Sequence, residues 1–371
     1  MNIENRRDEG LAFLLRYENV AWYDSDENTV KILDRRVYPR EVRFEVCRTH
    51  RDVAAAIKEM VTQSAGPYTA AGMGMALAAR EAMDRGLNVE EGRRYMRAAA
   101  DALSTARPTT ENRMRHITGS CLAIWEKGIQ ENQQTSHHSV DQQTSNHSVD
   151  QHIFLHTVES LNRRYEKMER VAEHLVDRFP EGGRIMTQCF GETIVGMMVR
   201  VAKKRGKSLS FYCPETRPYL QGARLTASVI KDQGYPVTVI TDNMMAATLR
   251  DKGIDVFTSA ADGIYLDGHV VNKVGTLQMA ILAKYFGTPY FVTGIPDQDK
   301  TSIDDVVIEE RDPGEVLEFW GMRTAMEGVQ AYYPAFDITP PHLVSAVVTD
   351  RGVYTPYNVK DYFQEGNGDF Y

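Results

Sequence analysis

RIMTQCFGETIVGMMVRVAKKRG, Arg184 to Gly206, is a short apolar run that stops at a cysteine and passes into a helical pattern closed by glycine. The unit then repeats. LSFYCPE (Leu209–Glu215) is followed by LQGARLTASVIKDQG, and PVTVITD (Pro236–Asp242) by MMAATLRDKG. DVFTSA (Asp255–Ala260), a turn region containing Asp-Gly, VGTLQMAILAKYFG and PYFVTG (Pro289–Gly294) complete the series. Strands alternating with single helices predict a parallel sheet with right-handed crossovers, whose ligands gather at the strand C-terminal ends.

Outward from that series, the N-terminal half reads differently. VAWYDSDENTVKILD and VRFEVCR predict short strands, and Asp52 to about Ser64, Ala70–Arg85 and Val89–Thr105 carry apolar residues at helical spacing. The predicted fold class is therefore α/β: a Rossmann-like parallel-sheet C-terminal domain with a smaller, mainly helical N-terminal domain carrying a few short strands. Between the halves, QQTSHHSVD and QQTSNHSVD form a tandem polar duplication (Gln133–Asp150) that offers no apolar face. The expected division is 1–132 for the first domain, 133–152 for a flexible insert and 153–371 for the second domain. A charged amphipathic helix over 157–178 bridges them, with Val158, Leu161, Tyr165, Met168, Val171 and Leu175 on its apolar side.

Bulk properties exclude several classes. A chain of 371 residues can bury a large core, and its net charge of -8 argues against a general nucleic-acid binder, which needs a basic face. No run of about 18 apolar residues indicates a membrane span, and MNIENRRDEG lacks the apolar stretch of a signal peptide. A soluble, cytoplasmic protein is expected. Cys47, Cys121, Cys189 and Cys213 are far apart with no CxxC pair, and no HExxH pattern occurs, so neither a disulfide framework nor a metal site is indicated. GMGMALA (Gly72–Ala78) holds two glycines of a dinucleotide fingerprint, but it lies in a helical run without a preceding buried strand. Those glycines read as helix-packing positions, and no cofactor is expected.

Two strand ends carry the chemistry. Cys189 and Asp242 close strands that open on the same side of a parallel sheet, where a thiol and a carboxylate form an acid–base pair of tunable pKa. Each has a plainer reading: free cysteine is usually an inert buried thiol, and aspartate before a helix is a favoured N-cap. Their equivalent positions favour the pair. In LDGHVVNKVGT, Asn272 and Lys273 precede a helix beginning near Gly275, whose N–H groups with the ammonium suit an anion such as phosphate. Arg107, in RPTTEN, sits at a helix end beside proline.

Long strings now add to this reading: ETRPYLQGARLTA (Glu215–Ala227), VITDNMMA, DGHVVNKVGTLQMAILAK, IEERDP (Ile308–Pro313) and YYPAFDITPPHLVSAVVTDRGVY. With them the chain resembles the methylthioribose-1-phosphate isomerase branch of the initiation factor 2B alpha/beta/delta family, through most of its length outside the insert. The resemblance implies an aldose–ketose isomerase that converts S-methyl-5-thioribose 1-phosphate, or a close 5-substituted ribose 1-phosphate, to the ribulose 1-phosphate in methionine salvage. It implies Cys189 and Asp242 as the catalytic pair and Arg107, Gln221, Asn272 and Lys273 as substrate ligands. It also implies a homodimer built through the C-terminal domain, with a small-molecule sugar phosphate as partner rather than nucleic acid or membrane.

Three departures accompany it. The family's THCN is TQCF here, RGAPAIG is replaced by TQSAGPYTAAG (Thr62–Gly72), and GADRI is AADGI (Ala260–Ile264). The last two each lose an arginine, so a weaker hold on phosphate is expected. The alternatives are an isomerase of ribose 1,5-bisphosphate, 5-deoxyribose 1-phosphate or unphosphorylated methylthioribose, and a non-catalytic regulatory subunit.

Overall fold

The structure, a computed structural model, describes residues 5–107, 111–135 and 148–365. The chain forms two compact units that divide inside one helix, between Arg164 and Tyr165. The centre of the duplicated insert lies outside the described residues, while its flanks at Gln133–Thr135 and Val149–His152 belong to helices.

The first unit opens with an antiparallel meander of β1 (Trp22–Asp24), β2 (Thr29–Leu33) and β3 (Phe44–Cys47). Five helices follow: α1 (His50–Lys58), α2 (Gly66–Asp84), α3 (Val89–Ser104), α4 (Glu111–Thr135) and α5 (Val149–Val176). Their starts are written locally. Thr49 and Asp52 form a capping box on α1, as do Asn88 and Glu91 on α3, each satisfying N–H groups that a helix start leaves open. A cap of this kind contributes about 1 kcal/mol. Helix α2 is buried over nearly its whole length, and Gly72 and Gly74 explain how it packs so closely. A Cβ at Gly72 would come within 2.6 Å of the Thr157 side chain, and one at Gly74 within 2.9 Å of Leu103. They are packing glycines, not a nucleotide loop.

In α5 the six apolar positions from Val158 to Leu175 are all buried. The helix starts earlier than its apolar stripe suggests, at Val149, where the side chain of Asp150 also accepts the Tyr23 hydroxyl at 2.7 Å.

The second unit contains β4 (Arg184–Met186), α6 (Glu192–Lys204), β5 (Ser210–Pro214), α7 (Ala227–Asp232), β6 (Val237–Ile240), α8 (Met245–Lys252) and β7 (Val256–Ala260). It continues with β8 (Gly263–Ile264), β9 (Val270–Lys273), α9 (Thr276–Phe286), β10 (Tyr290–Thr293), β11 (Phe336–Thr339), β12 (Ala346–Val348) and β13 (Val353–Tyr354). The main sheet runs β13-β12-β10-β7-β4-β5-β6, parallel except for the edge strand β13. Numbered one to six in chain order, its parallel strands lie 3-2-1-4-5-6 across the sheet. The order reverses between β4 and β7, and a crevice opens where crossovers leave a sheet in opposite directions.

Apolar residues of this sheet and its helices, among them Met186, Phe257, Met279, Tyr290 and Val347, form one core cluster. Burying side chains of this size contributes about 1.5–3 kcal/mol each. One layer departs from the simple alternation. Strands β8, β9 and β11 form a separate antiparallel sheet, which brings Phe336 opposite Lys273 and Asp337 opposite Asn272. Among the described residues no helix is long and apolar enough to cross a membrane.

Candidate functional site

Cys189 lies three residues past β4, at the reversal of strand order. Its backbone has φ +56°, a left-handed conformation that costs a non-glycine residue about 1–3 kcal/mol and persists only where its surroundings enforce it. Two constraints act. The Cys189 carbonyl accepts the Thr226 hydroxyl, and Gly191 packs so tightly on Ala260 that a Cβ there would come within 2.7 Å of it. Thr216 and Leu220, after β5, share the left-handed conformation, so strained residues cluster along this edge.

The thiol has a defined electrostatic setting. Burial pushes it up to about 11; the positive charges of Lys273 and Arg311 and the Phe190 N–H oppose that, while Asp262 adds to it. At neutral pH the Cys189 sulfur is therefore a thiol. Asp262 follows β7, the other strand of the reversal, so the crevice carries a thiol on one side and an acidic side chain on the other.

Asp242 lies two residues past β6, with β5 between β6 and β4. The two strands are two spacings apart, about 10 Å, and their C-terminal ends face the same way. Both carboxylate oxygens of Asp242 accept backbone N–H groups, Oδ1 from Thr216 at 2.9 Å and Oδ2 from Arg217 at 2.8 Å. It thereby anchors the ETRPYLQG loop. Beside it, burial and the Asp242 charge raise the Glu215 carboxyl above its ordinary range.

That loop presents Gln221. The residue is 5% exposed, and its Oε1 has no hydrogen-bond donor among the described residues. Lys273, 4% exposed, holds its Nζ 4.9 Å from the centroid of Phe336 and 5.9 Å from that of Tyr333. Asn272 faces inward instead: its Nδ2 donates to the Thr276 hydroxyl at 3.0 Å, and that hydroxyl donates to the Lys273 carbonyl. Arg107 lies in the first unit, half-buried on the bend after α3.

One expectation needs correcting. The N–H groups at the start of α9, read above as an anion site, already have an anion. Asp337 accepts from Gly275 at 2.7 Å and from Leu277 at 3.1 Å, and burial raises its carboxyl to about 6. Any phosphate held nearby must rely on side chains.

The departures from the family pattern also have structural accounts. Gln188 donates to the Val274 carbonyl at 3.3 Å, tying the cysteine loop to the loop that bears Lys273. At Thr62–Gly72, Arg35 donates to the Gln63 carbonyl at 2.7 Å and Arg164 to that of Ala65 at 3.2 Å. Gly263 stands where the third motif has arginine, and Lys300 Nζ is 3.1 Å from the place its Cβ would occupy. Cations thus lie near both altered segments, delivered from other parts of the chain. Sequence reasoning missed Arg311, although it is part of the IEERDP string, because a lone arginine on a loop carries no local signal of burial.

A profile of the Initiation factor 2 subunit family matches residues 64–356. Relatives named methylthioribose-1-phosphate isomerase include one from Desulforamulus reducens, 33% identical over 346 residues (89% of this chain and 94% of that protein). Another, from Geobacillus thermodenitrificans, is 35% identical and covers 92% of this chain and 94% of its own. Among solved structures, 5-methylthioribose 1-phosphate isomerase from Pyrococcus horikoshii superposes with a TM-score of 0.77 at 30% identity, covering 99% of this chain and 100% of that one. Translation initiation factor eIF-2B subunit delta from A. fulgidus also gives 0.77, at 29% identity, covering 93% and 99%.

Proposed function

The chain belongs to the Initiation factor 2 subunit family, and from that premise we propose how its second unit works as a methylthioribose-1-phosphate isomerase. The protein is an aldose–ketose isomerase of the methionine salvage type. It converts S-methyl-5-thioribose 1-phosphate to the ribulose 1-phosphate. Since the fold is shared equally with a regulatory initiation-factor subunit, the reading is carried by one local observation: the strained, protonated Cys189 at the strand reversal with Lys273 acting on it.

The reaction is redox-neutral: C1 gains a hydrogen with its bonding electrons and C2 loses one. Opening the ring breaks the bond from C1 to the ring oxygen, which takes up a proton. The C2 hydrogen then reaches C1 either directly as hydride or through an enediol-like intermediate, and the C2 hydroxyl gives up its proton as the ketone forms. Cys189, neutral in the free protein, enters as the acid that gives the ring oxygen its proton as the bond to C1 opens. Asp242 exchanges protons with the substrate hydroxyls. Gln221 accepts a sugar hydroxyl, and Lys273 holds the phosphate. Asn272 acts through the Lys273 turn that it braces.

The same proposal takes the second unit as Rossmann-like, which its 3-2-1-4-5-6 strand order supports, and the protein as a cytoplasmic homodimer. Size-exclusion chromatography with light scattering tests the dimer.

Assay of the purified protein on synthetic S-methyl-5-thioribose 1-phosphate tests the activity, with ketose formation followed by NMR. Absence of turnover would sink the enzyme reading in favour of a regulatory subunit. Near-normal turnover in both Cys189→Ser and Asp242→Asn would refute the residue assignment instead. A thermal-shift panel of ribose 1,5-bisphosphate, 5-deoxyribose 1-phosphate and unphosphorylated methylthioribose separates the related substrates, because a ligand of the folded state raises its melting temperature.

A further inference from the structure

Lys273 does not stand alone at the thiol. Arg311 Cζ is 5.7 Å from the centroid of the same Phe336 ring that Lys273 approaches, and 6.0 Å from that of Tyr219, on the loop that carries Gln221. Its backbone is fixed, since Arg311 donates its N–H to the Tyr333 carbonyl at 3.0 Å and the neighbouring Glu309 carbonyl accepts from Ala335 at 2.8 Å. Glu309 engages Nε at 2.8 Å, one of the five donors of a guanidinium. The side chain is only 11% exposed.

The charges facing this guanidinium come from several elements. Glu309 and the Tyr333 hydroxyl lie against it, Glu315 reaches it from the following short helix, and Lys273 shares its aromatic neighbour. Asp337, the other carboxylate near Lys273, is committed to the start of α9. Lys273 and Arg311 thus place two positive charges beside one ring, where a bound anion is favoured. In an aldose 1-phosphate the phosphate ester is attached at C1, one of the two carbons that react. Any cation beside a thiol working at the bond to C1 therefore lies at phosphate range, and guanidinium geometry suits phosphate oxygens.

We propose that Arg311 is a phosphate-holding residue of this site, paired with Lys273 across Phe336 and oriented by Glu309. The inference rests on the isomerase reading.

The test uses the full-length protein and two readouts. One is kcat and KM on S-methyl-5-thioribose 1-phosphate. The other is protection of Cys189 from iodoacetamide by inorganic phosphate at pH 9, read on the Cys189 peptide by mass spectrometry. The second needs no turnover, so an inactive protein would count against the activity while leaving this inference to be judged by protection. Arg311→Gln should raise KM and the phosphate concentration for half-protection by about 10- to 150-fold, the range for losing a charge-assisted hydrogen bond. Its kcat should stay within about threefold, and Arg311→Lys, which keeps charge but not the fork, should fall between.

Unchanged KM and protection in Arg311→Gln would overturn the assignment, as would a fall in kcat alone or a wild type that phosphate does not protect. Melting curves control for folding. If Arg311→Gln does not fold, Arg311→Lys decides, wild-type KM and protection in it counting against the proposal.

Discussion

Asp242 holds Thr216 by its backbone: Oδ1 accepts the Thr216 N–H at 2.9 Å, and Thr216 has φ +63°. The proposed proton carrier is thus also the anchor of the loop that brings Gln221 to the site. Its two roles come apart in two variants. Asp242→Ala removes both acceptors and leaves two N–H groups without them, which should lower stability by about 1–3 kcal/mol. Asp242→Asn keeps one acceptor and should lose less stability, yet it cannot take a proton and should lose turnover as fully. Urea unfolding beside kcat measures both, and a fully stable Asp242→Ala would remove the anchoring role.

A thiol at about 11 is ionised in roughly one molecule in ten thousand at pH 7. That makes Cys189 a poor base for the C2 hydrogen of the free sugar phosphate and a good donor. The expected route is direct transfer from C2 to C1, so ketose formed in D2O should carry no deuterium at C1. Stoichiometric deuterium there, by NMR, would establish an enediol-like intermediate instead. The same environment predicts that alkylation of Cys189 is slow at pH 7 and accelerates through pH 9–11, as the thiol ionises.

Much of the second unit was readable because its strands are buried runs punctuated by glycine-ended helices, and each quoted run does contain a strand. The places of Cys189 and Asp242, past two parallel strand ends, were readable for the same reason: strand ends in a parallel sheet share a side. Three things escaped. In the antiparallel β8-β9-β11 layer, β9 pairs with a strand more than 60 residues away, and VVNK reads locally as a turn before a helix. Asp337 caps α9 from that distance, so the helix start looked open. The lost arginines left both altered segments looking short of cations, yet Arg35 and Arg164 bond the Thr62–Gly72 segment within the first unit, and Lys300 lies beside Gly263 within the second. Local pattern encodes which face is buried; it does not encode which distant charge is delivered there.

The Asp337 cap should make stability fall with rising pH. Burial raises this carboxyl from 3.8 to about 6, against the pull of two N–H groups and Lys273. Between these values the folded protein binds a proton that the unfolded chain has released, so stability drops from about pH 4 to pH 6 and then levels. The size is about 2–3 kcal/mol. Asp337→Asn removes this titration, and the stability difference between wild type and variant should narrow or reverse in favour of the variant over that window. Urea midpoints at pH 4, 5, 6 and 7 measure it; a wild-type advantage that grows with pH would contradict the sign.

Gly222 supports the loop at its far end, and its space is already filled. A Cβ there would lie 1.8 Å from the Pro214 carbonyl oxygen and 2.9 Å from the Thr216 hydroxyl. The first is backbone at the end of β5, which pairs with β6, and it cannot swing aside as a side chain could. Gly222→Ala must therefore displace either the strand end or the loop, and should cost about 3 kcal/mol or more while abolishing turnover. Gly119 supplies the control. It is exposed within α4 with nothing within 4 Å of its Cβ position, so Gly119→Ala should be stabilising by about 0.5–1 kcal/mol and leave kcat unchanged. Melting and turnover of the two variants side by side decide the matter, since equal stability would mean that the Gln221 loop is free to move and cannot position a substrate hydroxyl.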